Sequence, residues 1–367
     1  MRLGIDIHTV GARQTGNETY IRNLIKAMLA SDEGQHEYFL YQTKEVALPE
    51  WMSKATIRKV TPHNPLLRIP FGFPLALKKD QIDVALFQYV VPPVMPCPVV
   101  TMVHDISFEY FPEFFNPLSR KRMQLLIPFS ARKSAHVLTV SEFSKRQIIE
   151  KYRIPEDKIS VTYNGVSDIF RHVTDALWLS HVLQKFGLDQ PFILAVGNLQ
   201  PRKNIERLVR VYAQLRKKDL IQHDLVLVGQ MHWQGHAILN EIQKHGIEKH
   251  VKTTGYVNDT ELVALYNRAD VFVYPSLYEG FGLPIIESMT CGTPVITSNV
   301  SSIPEVAGEA ALLIDPASDQ ELSDSLVRLV TETKLQDELI QLGFLQAKRF
   351  DWKITSEQTV SILQKAG

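Results

Sequence analysis

Glu279 and Glu287 stand on either side of a bend, Gly280-Phe281-Gly282-Leu283-Pro284. A carboxylate accepts hydrogen bonds from two hydroxyls at once, which suits a vicinal diol. Residues 271–274 are a short apolar run with two valines, the pattern of a buried strand. Gly280 and Gly282 permit backbone conformations and a close approach that a side chain would block. Pro284 suits the first turn of a helix, Gly292 suits its end, and Pro294 opens a strand at 295–297. A helix start offers free N–H groups and the positive end of a dipole to a phosphate. A diol-reading carboxylate on each side of a diphosphate-binding bend predicts a nucleotide-sugar site. The competing reading is an ordinary strand–loop–helix unit with two solvated glutamates.

A second cluster follows the predicted strand 192–196. Gly197-Asn198-Leu199-Gln200-Pro201-Arg202-Lys203-Asn204 ends where a helix begins. Adjacent cations at a helix start oppose its dipole. An anion held between Arg202 and Lys203 would offset that cost, since Arg presents a planar fork and Lys a point charge. The alternative is a solvated basic loop. In the loop 11–20, Gly16 with Thr15 and Asn17 opens a helix and offers amides to a phosphate, without Walker or dinucleotide-fold spacing. His104-Asp105 follows the predicted strand 99–103, a place for a hydrogen-bond donor, a general base or a structural histidine. No Asp-x-Asp pair stands at a strand end, no cluster has metal-ligand spacing, and no Gly-x-Ser-x-Gly elbow occurs. Phosphate charge would then be neutralised by Arg202, Lys203 and helix dipoles, with no metal and no separate cofactor.

These residues need a scaffold of alternating elements. In the first half, strands are expected at 2–6, 38–41, 84–87, 99–103 and 137–140. Helices are expected after Gly16, with Tyr20, Ile21, Leu24, Ile25 and Met28 on one face, at 117–134, and after the capping Ser141. A polar helical stretch at 168–190 separates the halves. Strands 192–196, 225–228, 251–254, 271–274, 295–297 and 311–314 then alternate with helices at 205–215, 234–245, 260–267, 319–330 and 335–350. Such alternation implies α/β architecture: two doubly wound, Rossmann-like domains facing across a crevice, with ligands at the strand carboxyl ends. Domains are expected at 1–170 and 171–350, with a final helix at 351–367 crossing back to the first. The length of 367 residues fits two domains.

Forty basic and forty acidic residues cancel, so nothing in the overall charge suggests nucleic acid. Cys97 and Cys291 lie far apart without metal spacing and read as reduced thiols. The N-terminus runs straight into a strand, and no apolar run is long enough to span a bilayer. The expectation is a cytoplasmic protein, or one that touches a membrane only from its surface. Two stretches mix bases with hydrophobes: 66–79, with Arg68, Phe71, Leu75, Lys78 and Lys79, and 119–133, with Arg120, Lys121, Arg122, Leu125, Phe129, Arg132 and Lys133. They read either as a surface docking on anionic membrane or, more ordinarily, as core-facing helices with a basic solvent face.

Taken together, the Glu279–Glu287 motif, residues 197–204, the Val228-Gly229 strand end, Gly255-Tyr256-Val257 and His104-Asp105 resemble a retaining glycosyltransferase of the GT-B fold, family 4. The likeness is to bacterial mannosyl- and glucosyltransferases. It implies that Glu287 binds the ribose diol, and that Arg202 and Lys203 hold the donor diphosphate and stabilise the leaving group. It also implies that Glu279 and the Phe281-Gly282-Leu283 backbone hold the donor sugar. Tyr256 and Val257 would line the base pocket, with Asn198 and Gly229 among the binding residues. His104 would contact the sugar near the reacting carbon, and Gly16 would lie against the phosphate. The N-terminal loop departs from the family, because Asn17-Glu18-Thr19 stands where a second glycine is common. The implied reaction moves a hexose, mannose from GDP-mannose by analogy, to a saccharide or lipid-linked acceptor in envelope polysaccharide synthesis. A UDP-sugar glucosyltransferase, a nucleotide-sugar epimerase and a non-catalytic sugar-nucleotide-binding module are the alternatives.

Overall fold

The computed structural model describes residues 1–11, 15–46, 48–230 and 236–367. The chain divides into two units, Met1–Gly165 with Asp351–Gly367, and Val166–Phe350. Among the described residues, unit one holds seven parallel strands: β1 (Arg2–Asp6), β2 (Glu37–Gln42), β3 (Thr56–Lys59), β4 (Val84–Gln88), β5 (Val99–Met102), β6 (His136–Thr139) and β7 (Ile159–Val161). Their spatial order is β3-β2-β1-β4-β5-β6-β7. The chain lays strands outward from β1 to β3, then returns to start again at β4. The switch point therefore lies between β1 and β4, and their carboxyl ends frame it.

Unit two repeats this logic with β8 (Phe192–Val196), β9 (Asp224–Val228), β10 (Val251–Gly255), β11 (Val271–Tyr274), β12 (Val295–Ser298) and β13 (Ala311–Ile314). The order β10-β9-β8-β11-β12-β13 puts its switch between β8 and β11. The central strands are apolar throughout, as strands covered on both faces must be: Phe192 to Ala195 and Val271 to Tyr274 are buried without a break. Helix Ile205–Lys217 turns Leu208, Val209, Tyr212 and Leu215 into the core beside Leu225, Leu227 and Val273.

The expected strands and helices are present with ends shifted by at most three residues, except in the stretch 168–190, where the helix is confined to Ala176–Gln184. Helix Asp259–Arg268 starts one residue before the expected 260, because Asn258 and Glu261 form a reciprocal capping box. The helix expected at 234–245 is seen as His236–His245, and residues 234–235 lie outside the described residues. So do 12–14 of the loop 11–20. Two edge strands were not foreseen: β3 reads Thr-Ile-Arg-Lys and β7 Ile-Ser-Val, short segments without a continuous apolar run. Helix Trp352–Ala366 lies within unit one. Its Trp352 ring meets Tyr20 at 5.8 Å, and Thr355 Oγ1 donates to the Tyr163 carbonyl.

Three glycines close the carboxyl ends of β8, β9 and β10. Gly197 N–H donates to the Val228 carbonyl (2.9 Å) and Gly229 N–H to the Gly255 carbonyl (2.9 Å). A Cβ on Gly229 would lie 1.9 Å from the Gly197 carbonyl oxygen, at φ +133. Gly246 also has positive φ, +64, but nothing stands within 4 Å of its missing Cβ. Gly246→Ala should therefore cost about 1 kcal/mol from backbone conformation alone. Gly229→Ala should cost at least about 2 kcal/mol, since it adds a backbone clash. Urea unfolding of the two variants measures the difference; equal losses would mean that the strand ends move apart freely.

Candidate functional site

Most of the residues singled out in the sequence stand near strand carboxyl ends, Arg202, Lys203 and Glu279 at the switch between β8 and β11, Gly229 and Tyr256 after β9 and β10, and His104 after β5. In unit two, the loop after β8 carries Arg202 and Lys203 on a short 3-10 turn, Pro201–Lys203. Asn204 adopts a left-handed conformation (φ +58) before helix Ile205–Lys217 begins, so both cations stand ahead of the helix and escape much of its unfavourable dipole. The loop after β11 carries Glu279. Glu279 Oε2 lies 3.0 Å from Arg202 Nη1 and Oε1 lies 2.6 Å from Lys203 Nζ. The anion between the two cations is thus the protein's own carboxylate. Arg202 also donates to the Tyr278 carbonyl, and Lys203 to the Tyr274 hydroxyl while lying over the Tyr274 ring at 4.6 Å.

All three side chains are largely buried. Burial pushes the Glu279 carboxyl towards its neutral form, but Arg202 and then Lys203 outweigh it and hold the group at about 2. The cluster carries one net positive charge in a desolvated place. The Glu279 backbone is held as firmly: its N–H donates to Ser301 Oγ (3.0 Å), and Ser302 Oγ donates to the Glu279 carbonyl (2.9 Å) and the Phe281 carbonyl (3.1 Å). Ser301 itself sits at φ +59, an uncommon conformation for a serine.

Past the bend, Gly282 takes φ +110 at the start of helix Leu283–Cys291, with Pro284 in its first turn. The Phe281 ring packs edge-on to Phe350 in the core (5.4 Å). Leu283 is half-buried. Glu287 is buried and takes a different partner from Glu279: the Tyr266 hydroxyl donates to its Oε2 at 3.2 Å. Burial raises the Glu287 carboxyl to about 8; the Tyr266 hydrogen bond opposes this, and Asp259 adds to it. The two glutamates of the motif therefore sit in opposite electrostatic states, Glu279 ionised and Glu287 neutral. Elsewhere in unit two, Tyr256 is exposed just after β10, Val257 is buried, Asn198 is half-buried, and Gly229 packs on Gly197.

In unit one, His104 follows β5 and is buried. Its Nε2 lies 2.9 Å from Gln88 Oε1, and Gln88 Nε2 donates to Thr9 Oγ1 (3.3 Å), linking the ends of β4 and β1 across the switch. With Gln88 Oε1 as acceptor, Nε2 is the protonated nitrogen and Nδ1 keeps a lone pair. Burial lowers the His104 pKa to about 4, against the pull of Asp105, so the ring is neutral and a weak base. Tyr20 packs edge-on against it at 4.6 Å. At the end of β1, His8 Nδ1 meets Asp6 Oδ2 at 2.7 Å, and the Asp6 charge raises the His8 pKa. Gly16 is exposed in the first turn of helix Thr15–Ser31. Glu18, the residue that departs from the family pattern, folds back so that its Oε1 accepts from Gly11 N–H (2.8 Å).

The sequence reading missed Tyr274, Tyr266, Gln88 and the Asp6–His8 pair. Gln88 had a signal, a polar residue closing the apolar run Val-Ala-Leu-Phe. The tyrosines had none, because a tyrosine within an apolar pattern reads as core.

The chain is similar to known glycosyltransferases over most of its length. Residues 15–168 match the family model "Glycosyltransferase Family 4", and residues 181–345 match "Glycosyl transferases group 1". The O-antigen chain mannosyltransferase B of Escherichia coli is 37% identical over 264 residues, 71% of this chain and 69% of that protein. Among solved structures, sucrose-phosphate synthase of Thermosynechococcus elongatus aligns with TM-score 0.82 at 19% identity, over 100% of this chain and 98% of that one. The HepE protein of Anabaena in complex with UDP-glucose aligns with TM-score 0.79 at 19% identity, over 100% of both chains. The protein is a glycosyltransferase with the two-domain α/β fold called GT-B. Within that class the chain belongs to family 4, the group 1 glycosyltransferases.

Between the ordinary carboxyl value of 4.5 and about 8, folded Glu287 keeps a proton that the unfolded chain has lost. Its contribution to stability therefore falls as pH rises through that window, by on the order of 1.4 kcal/mol per pH unit. Glu287→Gln should remove this slope in urea unfolding. Parallel pH profiles for the two proteins would show that Glu287 is already ionised at neutral pH. Glu279→Gln leaves two buried cations facing each other and should cost about 3–5 kcal/mol. Added pyrophosphate should restore more stability to this variant than to the wild type. An equal gain in both would remove the cluster as an anion site.

Proposed function

We propose that the protein is a retaining, metal-independent mannosyltransferase. It takes mannose from GDP-mannose and moves it to a saccharide or lipid-linked acceptor in envelope polysaccharide synthesis, working in the cytoplasm at the inner face of the membrane. The observation that carries this reading is the buried Arg202–Lys203–Glu279 cluster at the switch between β8 and β11. A diphosphate brings at least two negative charges, and a fixed site with net positive charge stabilises it most as it leaves. Two cations held by a carboxylate need not reorganise when that charge develops. The choice of mannose rests on the name of the Escherichia coli relative.

Arg202 and Lys203 bind the diphosphate. Glu287, neutral in the free protein and held by Tyr266, meets the ribose hydroxyls beside the start of helix Leu283–Cys291. Phe281, Gly282 and Leu283 offer backbone groups to the sugar, and Gly229 leaves room for the nucleotide. His104 is too weak a base, and Glu279 too firmly paired, to deprotonate an acceptor at neutral pH. The leaving diphosphate is then the group that accepts the acceptor proton, on the face from which it departs, so the anomeric configuration is kept.

The test is a panel of GDP-mannose, UDP-glucose and ADP- and dTDP-sugars, each with and without a mannosyl acceptor, in EDTA and in Mg²⁺. GDP-mannose should be consumed only with acceptor, equally in EDTA, and NMR should show the donor's anomeric configuration in the product. A bound donor at 100 times its dissociation constant should stabilise the fold by about 2.7 kcal/mol. Turnover of UDP-glucose alone would transfer the assignment to a glucosyltransferase. Conversion of a donor without acceptor would make the protein an isomerase, and donor binding without turnover would make it a binding module.

A further inference from the structure

Arg68 is a buried cation without a counter-ion. It lies in the connection from β3 to β4, where the sequence sets it in a basic stretch. Only 6% of its surface is exposed. Its Nη1 donates to the His63 carbonyl (2.8 Å), and its guanidinium lies over the Phe73 ring at 5.8 Å. Its Nε is buried with no hydrogen-bond partner, and among the described residues Arg68 forms no ion pair. Burial accordingly lowers its pKa, with Asp6 opposing.

Asp6 is the carboxylate at hand, and it is already engaged. Gly4 and Asp6 share one face of β1. A Cβ on Gly4 would lie 3.1 Å from Leu77, so the segment 65–79 covers that face. Arg68 is near enough for its charge to act on both Asp6 and His8. Yet Asp6 Oδ1 accepts from the His8 N–H (3.0 Å), and Oδ2 meets His8 Nδ1 (2.7 Å). Asp6, His8 in its protonated form and Arg68 together carry one net positive charge. His8 Nε2 has no partner among the described residues, and its side chain is 33% exposed, so His8 is the open edge of the group.

Unit two shows what Arg68 lacks. There Glu279 sits between Arg202 and Lys203, and no side chain does the same for Arg68. A buried charge is normally paired, and leaving one unpaired opposes folding. An anion brought by a ligand would remove that cost, since Arg offers a planar fork of donors and a desolvated cation holds an oxyanion strongly. We propose that Arg68, with His8 at its edge, binds an oxyanion carried by the acceptor, a phosphate or a carboxylate, so that the protein selects charged acceptors over neutral sugars. This rests on transfer to a saccharide or lipid-linked acceptor, as proposed above, and narrows that acceptor's chemistry. Asp6 and His8 stand at the end of β1, beside the switch of unit one, where an α/β sheet takes its ligand. A neutral polyol fits less well, because it would leave the buried cation uncompensated.

The test uses three acceptors built on one mannosyl disaccharide: its octyl glycoside, the same disaccharide joined to octyl through a diphosphate, and the octyl glycoside with a uronic acid as the inner sugar. One of the anionic acceptors should have a KM roughly ten-fold or more below that of the neutral one. Which of them it is separates phosphate from carboxylate. Arg68→Met should bring the KM values together, and Arg68→Lys should keep part of the difference. In both variants the melting shift with GDP-mannose should stay as in the wild type. Arg68→Met should melt no lower than the wild type, because it removes an unpaired buried charge. A lower melting temperature with the acceptor preference intact would make Arg68 structural and overturn the proposal, as would equal KM values for all three acceptors in the wild type. If nothing is transferred, the donor reading fails by itself, and the melting shifts given by the anionic acceptors decide. A shift in the wild type that is lost in Arg68→Met upholds the site; the same shift in both, or none in either, overturns it.

Discussion

A carboxylate held between two cations away from water is the interaction on which the candidate site depends. Desolvating three charges costs several kcal/mol per ion, and only close pairing repays it. Glu279 achieves that pairing from the loop after β11, Arg202 and Lys203 from the loop after β8, and the two loops are neighbours because the sheet changes direction between those strands. The surrounding details keep the pair in register. Ser301 and Ser302 fix the Glu279 backbone, Asn204 turns the chain between the cations and their helix, and the glycines at the ends of β8, β9 and β10 let neighbouring loops approach closely. The strain in Asn204 and Ser301 falls where such a site is expected to hold it.

Unit one follows the same rule with weaker charges. Its switch point joins Thr9, Gln88 and His104 in a chain of hydrogen bonds, with Asp6 and His8 alongside. Tyr89, directly after Gln88, is held at φ +61. The contrast between units is chemical. Unit two presents fixed net positive charge, while unit one presents a neutral imidazole and a carboxylate paired with a histidine. The first suits a phosphorylated donor, the second the hydroxyl groups of an acceptor.

Much of this was legible in the residues. Short β-branched runs such as Val271–Tyr274 are buried strands whatever surrounds them, and a Gly-Leu-Pro start with a glycine stop gives helix Leu283–Cys291 from local preference alone. Arg202 and Lys203 suggested an anion, since adjacent cations near a helix start are unfavourable without one unless they stay solvated. The identity of that anion was hidden, because it comes from a loop 76 positions along the chain. The opposite ionisation of Glu279 and Glu287 was equally hidden. Both are glutamates in one motif, and only the neighbours brought by other elements, two cations for one and a buried tyrosine for the other, separate them. The outer face of Pro117–Lys133 was ambiguous because hydrophobes within a helix normally point inward, and it is the burial of Ile127 and Ala131 that leaves Leu125 and Phe129 outside.

Helix Trp352–Ala366 belongs to the unit that begins the chain, packing Trp352 against Tyr20 and anchoring Thr355 on the Tyr163 carbonyl. On the ribosome the consequence is one of timing. At about 5–20 residues per second, the segment Val166–Phe350 takes on the order of ten to forty seconds to emerge before that helix does. Through this interval the helix Thr15–Ser31 waits with one flank uncovered, while the second unit has all its own strands in hand. Unit one is thus begun before unit two and completed after it, and the nascent chain carries the exposed flank while unit two is made, where a chaperone has both the time and the surface to bind.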